Sequence, residues 1–462
     1  MKNNIFKVFL SLNILLLLNN TAIFAQCYNK IAVNQWVSAT IRVNGTLWTW
    51  GNNSKGQLGD GTTTSKDIPT QIGTSTLWQE IGINYSHTIG IRNGRLFTWG
   101  NNTSGQLGDG TFISKLVPTQ IGTATNWEQV SAGDNHSVAI KQNGTIWAFG
   151  DNDFGQLGTG NFTASNVPLQ VGNASNWAKV VTGLRRTVAL KTDGTLWCWG
   201  QATPNSSTNS INSNVPLQIG TSNQWKDISL GYEHNLLLKT NNTLWGWGQN
   251  NYCALGNGTT INMFGLPQQI GTATNWKTVT AGRDFSTGIK QNGTLWAWGL
   301  NYNGQFGNNS TTNSATPIQI GTATNWRNTY SSFNHTIAQK TTNDQIWIWG
   351  YNIFGQLGNG NSNDVSTPLA LGTCTTLDNN NFASISKLFD VYPNPTKTFL
   401  NIQSNENIEI KELKILDLFG KLLFRTAINF NNIDVSYLIN GMYFIQIETT
   451  ENSFEILKFI KN

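Results

Sequence analysis

Charge is scarce in this chain. Asp, Glu, Lys and Arg together make up 11% of 462 residues, and the formal net charge is +5. An excess so small and dispersed excludes an electrostatic grip on nucleic acid or on an anionic membrane. Histidine and cysteine number four each and methionine three. There is no zinc-helix motif and no nucleophile elbow. Strings such as GDG at 59–61 and 108–110 lie in β-turn contexts without a following helix, so they are not phosphate loops. Asp151-Asn152-Asp153-Phe154-Gly155 opens like a calcium loop but lacks the later acidic ligand. The expectation is a chain with no catalytic constellation, no metal and no cofactor.

Long apolar runs are missing too, with one exception. Residues 8–18, VFLSLNILLLL, follow Lys2 and Lys7 and precede a polar break at Asn19-Asn20 and a small residue, Ala25. That order predicts a signal peptide over 1–25. The run is short for a membrane span, and the mature chain is expected to have no integral membrane segment. Cys27 follows directly, but Gln26 is a poor residue before a lipidated cysteine.

Glycine (46 residues) and tryptophan (19) are abundant instead, and they are periodic. Trp-Gly stands at 50–51, 99–100, 199–200, 247–248, 298–299 and 349–350, with Phe149-Gly150 as the seventh copy, at steps of 48 to 51 residues. A fixed period of that size signals a repeat array such as a propeller. Each unit opens on an aromatic (Tyr28, Trp78, Trp127, Trp177, Trp225, Trp276, Trp326) and continues through an alternating stretch such as VSAGDNHSVAIK at 130–141. A tight turn follows, Asn-Gly in four units, then a strand such as TLWCWG at 195–200, then GQLG or GQFG in five units, and most units close on Pro-x-Gln-Ile/Val-Gly. Period-two alternation and Asn-Gly turns are β-hairpin signals, and four short strands per unit make one blade. Unit four breaks the pattern: QATPNSSTNSINSN at 201–214 stands where GQLG belongs.

The pattern Asn-Gly-Thr-Leu-Trp-x-Trp-Gly-x-Asn-x-x-Gly-Gln-Leu-Gly-x-Gly resembles the regulator-of-chromosome-condensation repeat over about residues 27–374. The resemblance implies an all-β, seven-bladed β-propeller over 26–374. A polar linker, 375–387, and a small C-terminal β-sandwich, 388–462, follow. This last segment resembles the type IX secretion system C-terminal sorting domain through Tyr392-Pro393-Asn394-Pro395, Gly420-Lys421 and Gly441-Met442-Tyr443. It implies handling by the type IX secretion machinery and a secreted or cell-surface product. If the ring closes, Cys27 and Cys374 become neighbours, and a disulfide between them is expected in an exported chain. Cys198 and Cys253 are expected to be buried thiols.

Function is less legible. His87, His136, His234 and His335 share one register, nine residues after the opening aromatic, where other units carry Val37, Arg186 and Phe285. A position that tolerates such replacements is structural. Positions seven and eight vary from unit to unit and are expected to form a ring of loops on one face. Their candidate binding residues are Trp36, Tyr85, Asn135, Arg185, Tyr232, Glu233, Arg283, Asp284 and Phe333. A second variable set follows Trp-Gly: Phe154, Tyr252, Tyr302, Tyr351 and Phe354. Trp, Tyr and Arg are favoured anchors. The expected function is a scaffold that binds an extracellular protein or glycan through one loop face. The alternatives are a polysaccharide-acting enzyme using Glu233, Asp284 and Asp134, and a structural, adhesin-like surface protein.

Overall fold

The computed structural model describes residues 28–371 and 389–462, apart from 205, 207, 343–344, 405–408, 418–421, 429 and 451–453. The expected leader, the linker, Cys27, Cys374, Gly420 and Lys421 lie outside the described residues. The chain divides into two compact units at residue 374.

The first unit holds seven antiparallel sheets of four strands, each strand pairing with its sequence neighbour. Blade one runs Tyr28–Asn34, Val37–Arg42, Leu47–Gly51 and Lys66–Gln71. First strands of adjacent blades contact one another around the ring, including the first and last blades. They therefore line the central channel, and the Pro-x-Gln strands lie outermost. Among the described residues no strand is exchanged between blades one and seven, so side-by-side packing closes the circle.

That packing is apolar first. The second Trp of each Trp-x-Trp strand, or Phe149 in blade three, is buried between blades. Trp50 of blade one shares a cluster with Ile337, Ile346, Ile348 and Leu357 of blade seven. Burial of side chains this large contributes about 2–3 kcal/mol each. The glycine after this Trp is required by geometry. At Gly51, φ is +101°, and a Cβ would sit 2.2 Å from the Trp36 carbonyl oxygen.

A repeated polar latch sits beside the apolar contact. The carbonyl of the Gln in GQLG accepts a hydrogen bond from a Ser or Thr hydroxyl on the second strand of the next blade: Thr88 to Gln57, Ser137 to Gln106, Thr187 to Gln156, Thr336 to Gln305 and Ser38 to Gln356. Ala254 takes the Gln position for Ser286. The indole Nε1–H of Trp50, Trp99, Trp298 or Trp349 donates to the same carbonyl. The four histidines join here: His87 lies 2.8 Å from Ser137, His136 3.1 Å from Thr187, His234 2.9 Å from Ser286 and His335 3.2 Å from Ser38. Each hydroxyl gives its only proton to the carbonyl, so the imidazole Nε2 is the donor.

The loop that presents this carbonyl is pinned by a buried Asn. Asn53 accepts from the Leu58 N–H through Oδ1 and donates to Asp60 and to the Thr62 carbonyl through Nδ2. Asn102, Asn152, Asn250, Asn301 and Asn352 take the same place. In blade four this loop is replaced by a long hairpin, Leu196–Pro204 with Ser210–Gln218. Cys198 and Cys253 are free. Cys198 is buried as expected, and its thiol is pushed up to about 11 by desolvation. Cys253 is only partly buried, which corrects the expectation, because its CALG loop replaces a glycine at the loop surface. It sits at φ +62° where blades one, two, three, six and seven place glycine.

The C-terminal unit packs a four-stranded sheet (Leu422–Thr426, Ile410–Leu416, Gly441–Thr449, Phe454–Lys461) and a three-stranded one (Phe389–Tyr392, Phe399–Ser404, Ile433–Asp434) around Phe389, Leu400, Leu413, Ile445 and Phe459.

Two tests follow from these seams. Burial lowers all four histidines from the ordinary 6.5 to about 3. The folded ring therefore keeps them neutral while the unfolded chain takes up protons below 6.5. Their contribution is complete above pH 6.5 and is lost as pH falls toward 3, by about 1.4 kcal/mol per pH unit for each histidine. Thermal melts should hold level from about pH 8 to 6.5 and then drop. His136→Phe, which copies Phe285 of blade six, should shrink that drop by about a quarter. The comparison isolates the histidines from Asp134 and Asp284, whose raised values act in the opposite direction. A melt independent of pH would refute the assignment. Separately, Cys253→Gly should stabilise the fold by about 1 kcal/mol in chemical denaturation, by relieving a left-handed non-glycine backbone.

Candidate functional site

Successive strands of a blade run up and down, so the first-to-second and third-to-fourth connections emerge on the same face. The two variable sets are consequently one surface. Trp36 of blade one packs on Phe354 of blade seven, with ring centroids 4.8 Å apart, and the Arg185 guanidinium of blade four lies 4.8 Å over the Phe154 ring of blade three. In both cases the residue before GQLG meets position eight of the following blade.

Position seven closes around the channel mouth. Gln35, Asp134, Leu184, Tyr232, Arg283 and Phe333 line one shallow cavity there. Trp36 makes edge contacts with Tyr85 and Phe333, both at 6.2 Å, and Tyr232 meets Phe333 at 5.8 Å. The Arg283 guanidinium lies over Phe333 at 4.2 Å and Tyr232 at 5.4 Å, and its Nε is 3.2 Å from Asp284. Of the nine candidate binding residues, Trp36, Tyr85, Tyr232, Arg283, Asp284 and Phe333 thus form one connected cluster. Asn135 stands apart, 3.5 Å from the Gln106 amide. Arg185 and Glu233 flank a separate notch between blades four and five.

The backbone beneath is stitched from blade to blade. The Asp134 N–H donates to the Leu184 carbonyl, the Tyr232 N–H to Gly282 and the Arg283 N–H to Ser332. These side chains therefore stand on a fixed rim. Burial raises the Asp134 carboxyl, partly offset by Arg185. It also raises Asp284, offset by Arg283 and reinforced by the Glu233 charge. Among the described residues no group of three His, Cys, Asp or Glu is placed to hold a metal ion, and no helix is long and apolar enough to cross a membrane.

One repeated feature of the opposite face was missed in the sequence. Fourteen residues after each opening aromatic stands a cation: Arg42, Arg92, Lys141, Lys191, Lys239, Lys290 or Lys340. Each lies 3.6–4.0 Å over the outer aromatic of the Trp-x-Trp strand or its Phe97 counterpart. The signal was a strictly basic position in every unit. It is a cation–π staple of about 0.5–1 kcal/mol.

Comparison with known proteins bears on both units. Residues 91–387 match the RCC1-like domain and residues 44–91 the regulator of chromosome condensation (RCC1) repeat. The chain belongs to the RCC1-like domain family. Residues 390–462 match the secretion system C-terminal sorting domain. Among solved structures the RCC1-like chain is similar to human WBSCR16 (TM-score 0.64, 18% identity, 71% of this chain and 94% of that one). It is also similar to yeast RCC1, Prp20, in its complex with Kap60 (TM-score 0.63, 17% identity, 80% and 88%). Likeness at that identity shows the fold. The ultraviolet-B receptor UVR8 of Arabidopsis thaliana is 27% identical over 95 residues, 20% of this chain and 22% of the receptor. The match thus spans about a fifth of that relative. An RCC1-like propeller joined to a sorting tail of this type points to a secreted or cell-surface protein.

In the sorting domain, Asn394 explains its own motif. Its amide donates to the Lys458 carbonyl at 2.8 Å and accepts from the Ile460 N–H at 2.9 Å. Thr396 adds backbone bonds to Ile460 and Asn462. Tyr443 stacks on Phe459 and donates its hydroxyl to the Ile439 carbonyl. The Tyr-Pro-Asn-Pro segment therefore clamps the last strand. Asn394→Ala should cost about 2 kcal/mol of local stability. Hydrogen exchange should quicken at 458–461 and stay unchanged in the propeller; equal protection in both proteins would refute the clamp.

Proposed function

We propose that this protein is a secreted or surface-displayed scaffold that binds another macromolecule, a protein or a glycan, through the channel-mouth face. The leader at 1–25 takes it to the periplasm, the propeller extends over 26–374, and the domain at 388–462 presents it to the type IX secretion machinery. A Cys27–Cys374 disulfide would add a covalent tie at the seam between blades one and seven. The observation that carries the reading is the merged aromatic and cationic cluster of Trp36, Tyr85, Tyr232, Arg283, Phe333 and Phe354 on a rim held by backbone hydrogen bonds. Aromatic and arginine anchors on a rigid support are what binding hot spots are made of. Yeast RCC1 (Prp20), which shares the fold, is seen with Kap60 bound, so a protein of this fold takes a protein partner; that says nothing of the partner here.

The full chain, and a variant with Trp36, Arg283 and Phe333 changed to Ala, would be used to capture partners from surface and medium extracts. A partner whose affinity falls by about thirtyfold or more in the variant supports the reading. Undiminished capture, with both proteins melting alike, overturns it. The raised Asp284 beside Glu233 favours a second reading, polysaccharide hydrolysis. Turnover abolished by Glu233→Gln with Asp284→Asn, binding being kept, would establish that one.

A further inference from the structure

The seam between blades four and five is unlike the other six. With the GQLG loop gone from blade four, no described residue offers the next blade that latch carbonyl. Trp247 is buried with no partner for its Nε1–H among the described residues, and Asn235, which takes the Ser/Thr position, leaves its Oδ1 unpartnered. Blade four also replaces the latch histidine with Arg186. Arg186 is 7% exposed; among the described residues its Nε is unpartnered and its one side-chain hydrogen bond runs from Nη2 to the Tyr232 carbonyl at 3.4 Å. No carboxylate lies within ion-pair distance of it among the described residues. A cation this buried is costly to leave without an anion.

The space left by the missing loop is a cavity of about 220 Å³. Arg186 and Trp247 line it, with Arg185 and Glu233, Tyr232 and Phe264, and Gln201. Two arginines against one glutamate leave one positive charge, which suits a monoanion and disfavours a dianion such as phosphate. A planar guanidinium fork matches a carboxylate. The remaining walls suit a ring with hydroxyls. Tyr232 and Phe264 offer apolar faces, and Glu233 and Gln201 offer acceptors. A cavity of about 150 Å³ holds benzene, so this volume suits one six-membered ring with substituents.

We propose that the notch between blades four and five binds a single uronate, a sugar ring bearing one carboxylate, with Arg186 on the carboxylate, Glu233 on ring hydroxyls and Tyr232 and Phe264 against the ring. This site does not rest on the mouth's role in macromolecular binding. Its test reads different residues from the Trp36, Arg283 and Phe333 variant, so either proposal can fail alone.

The test is calorimetric titration of the full chain with free glucuronate, glucose and acetate at near-physiological salt. Saturable glucuronate binding is expected, about tenfold or more tighter than either comparator. Arg186→Phe, which copies the residue blade six carries at that register, should weaken glucuronate about tenfold or more while the melting temperature holds. Should that variant fail to fold, Arg185→Ala and Glu233→Gln keep the test open, because both side chains lie outside the buried latch. Each should weaken glucuronate by about threefold or more. Glucose binding as tightly as glucuronate would remove the carboxylate from the proposal, and acetate binding as tightly would remove the ring; either overturns it. So does an absence of saturable binding, or unchanged affinity in every folded variant.

Discussion

A backbone carbonyl sets how one blade of this ring seats on the next. In six seams the Gln of GQLG, or Ala254 in its place, turns its C=O toward the next blade, where a hydroxyl donates to it and, in four seams, an indole does too. Each bond is worth only about 1 kcal/mol. Its weight comes from repetition and from where it sits. Among the described residues blades one and seven exchange no strand, so closure rests on the same contacts as the other latched seams, with Ser38 and Trp50 reaching Gln356 between the first and last blades. The repeat is kept within the chain because each loop serves its neighbour: the buried Asn fixes the loop, the loop fixes the carbonyl, and the carbonyl receives the next blade.

The exception supports that logic. Blade four loses the loop, and the changes spread to both sides of one seam. Arg186 replaces the histidine whose hydroxyl partner on the next blade is gone, Asn235 replaces that hydroxyl, and the hairpin of 196–218 lengthens to cover the flank. A buried cation stands where the latch histidine is missing, and a charge buried without a partner is costly.

Much of this was readable in the sequence because repeats average out local ambiguity. The opening aromatics, the Trp-x-Trp strands and the Asn-Gly turns mark hairpins seven times over, and the fold follows from period and turn chemistry. The shared register of the histidines correctly marked them as structural. What escaped was whatever depends on the third dimension. Trp36 and Phe354 are 318 positions apart in sequence, and only the alternation of strand direction, combined with ring closure, makes them neighbours. Arg185 and Phe154 meet for the same reason. The cation above each Trp-x-Trp strand was visible as a fixed basic position, but a charge beside a strand reads as solvated surface until its ring partners are seen.

The two faces of the propeller have opposite statistics, and this bears on which of them recognises something. On the turn face, every blade spends its basic residue on the same staple over an aromatic, so seven units repeat one solution. On the mouth face the frame repeats but the occupants do not: Gln35, Tyr85, Asp134, Leu184, Tyr232, Arg283 and Phe333 occupy one position. A structural role selects the same answer seven times, as the latch and the staple do. A ring of seven different answers, on a rim where the Asp134, Tyr232 and Arg283 N–H groups already bond to the next blades, is not dictated by the repeat, although Trp36, Arg283 and Phe333 still pack across blades.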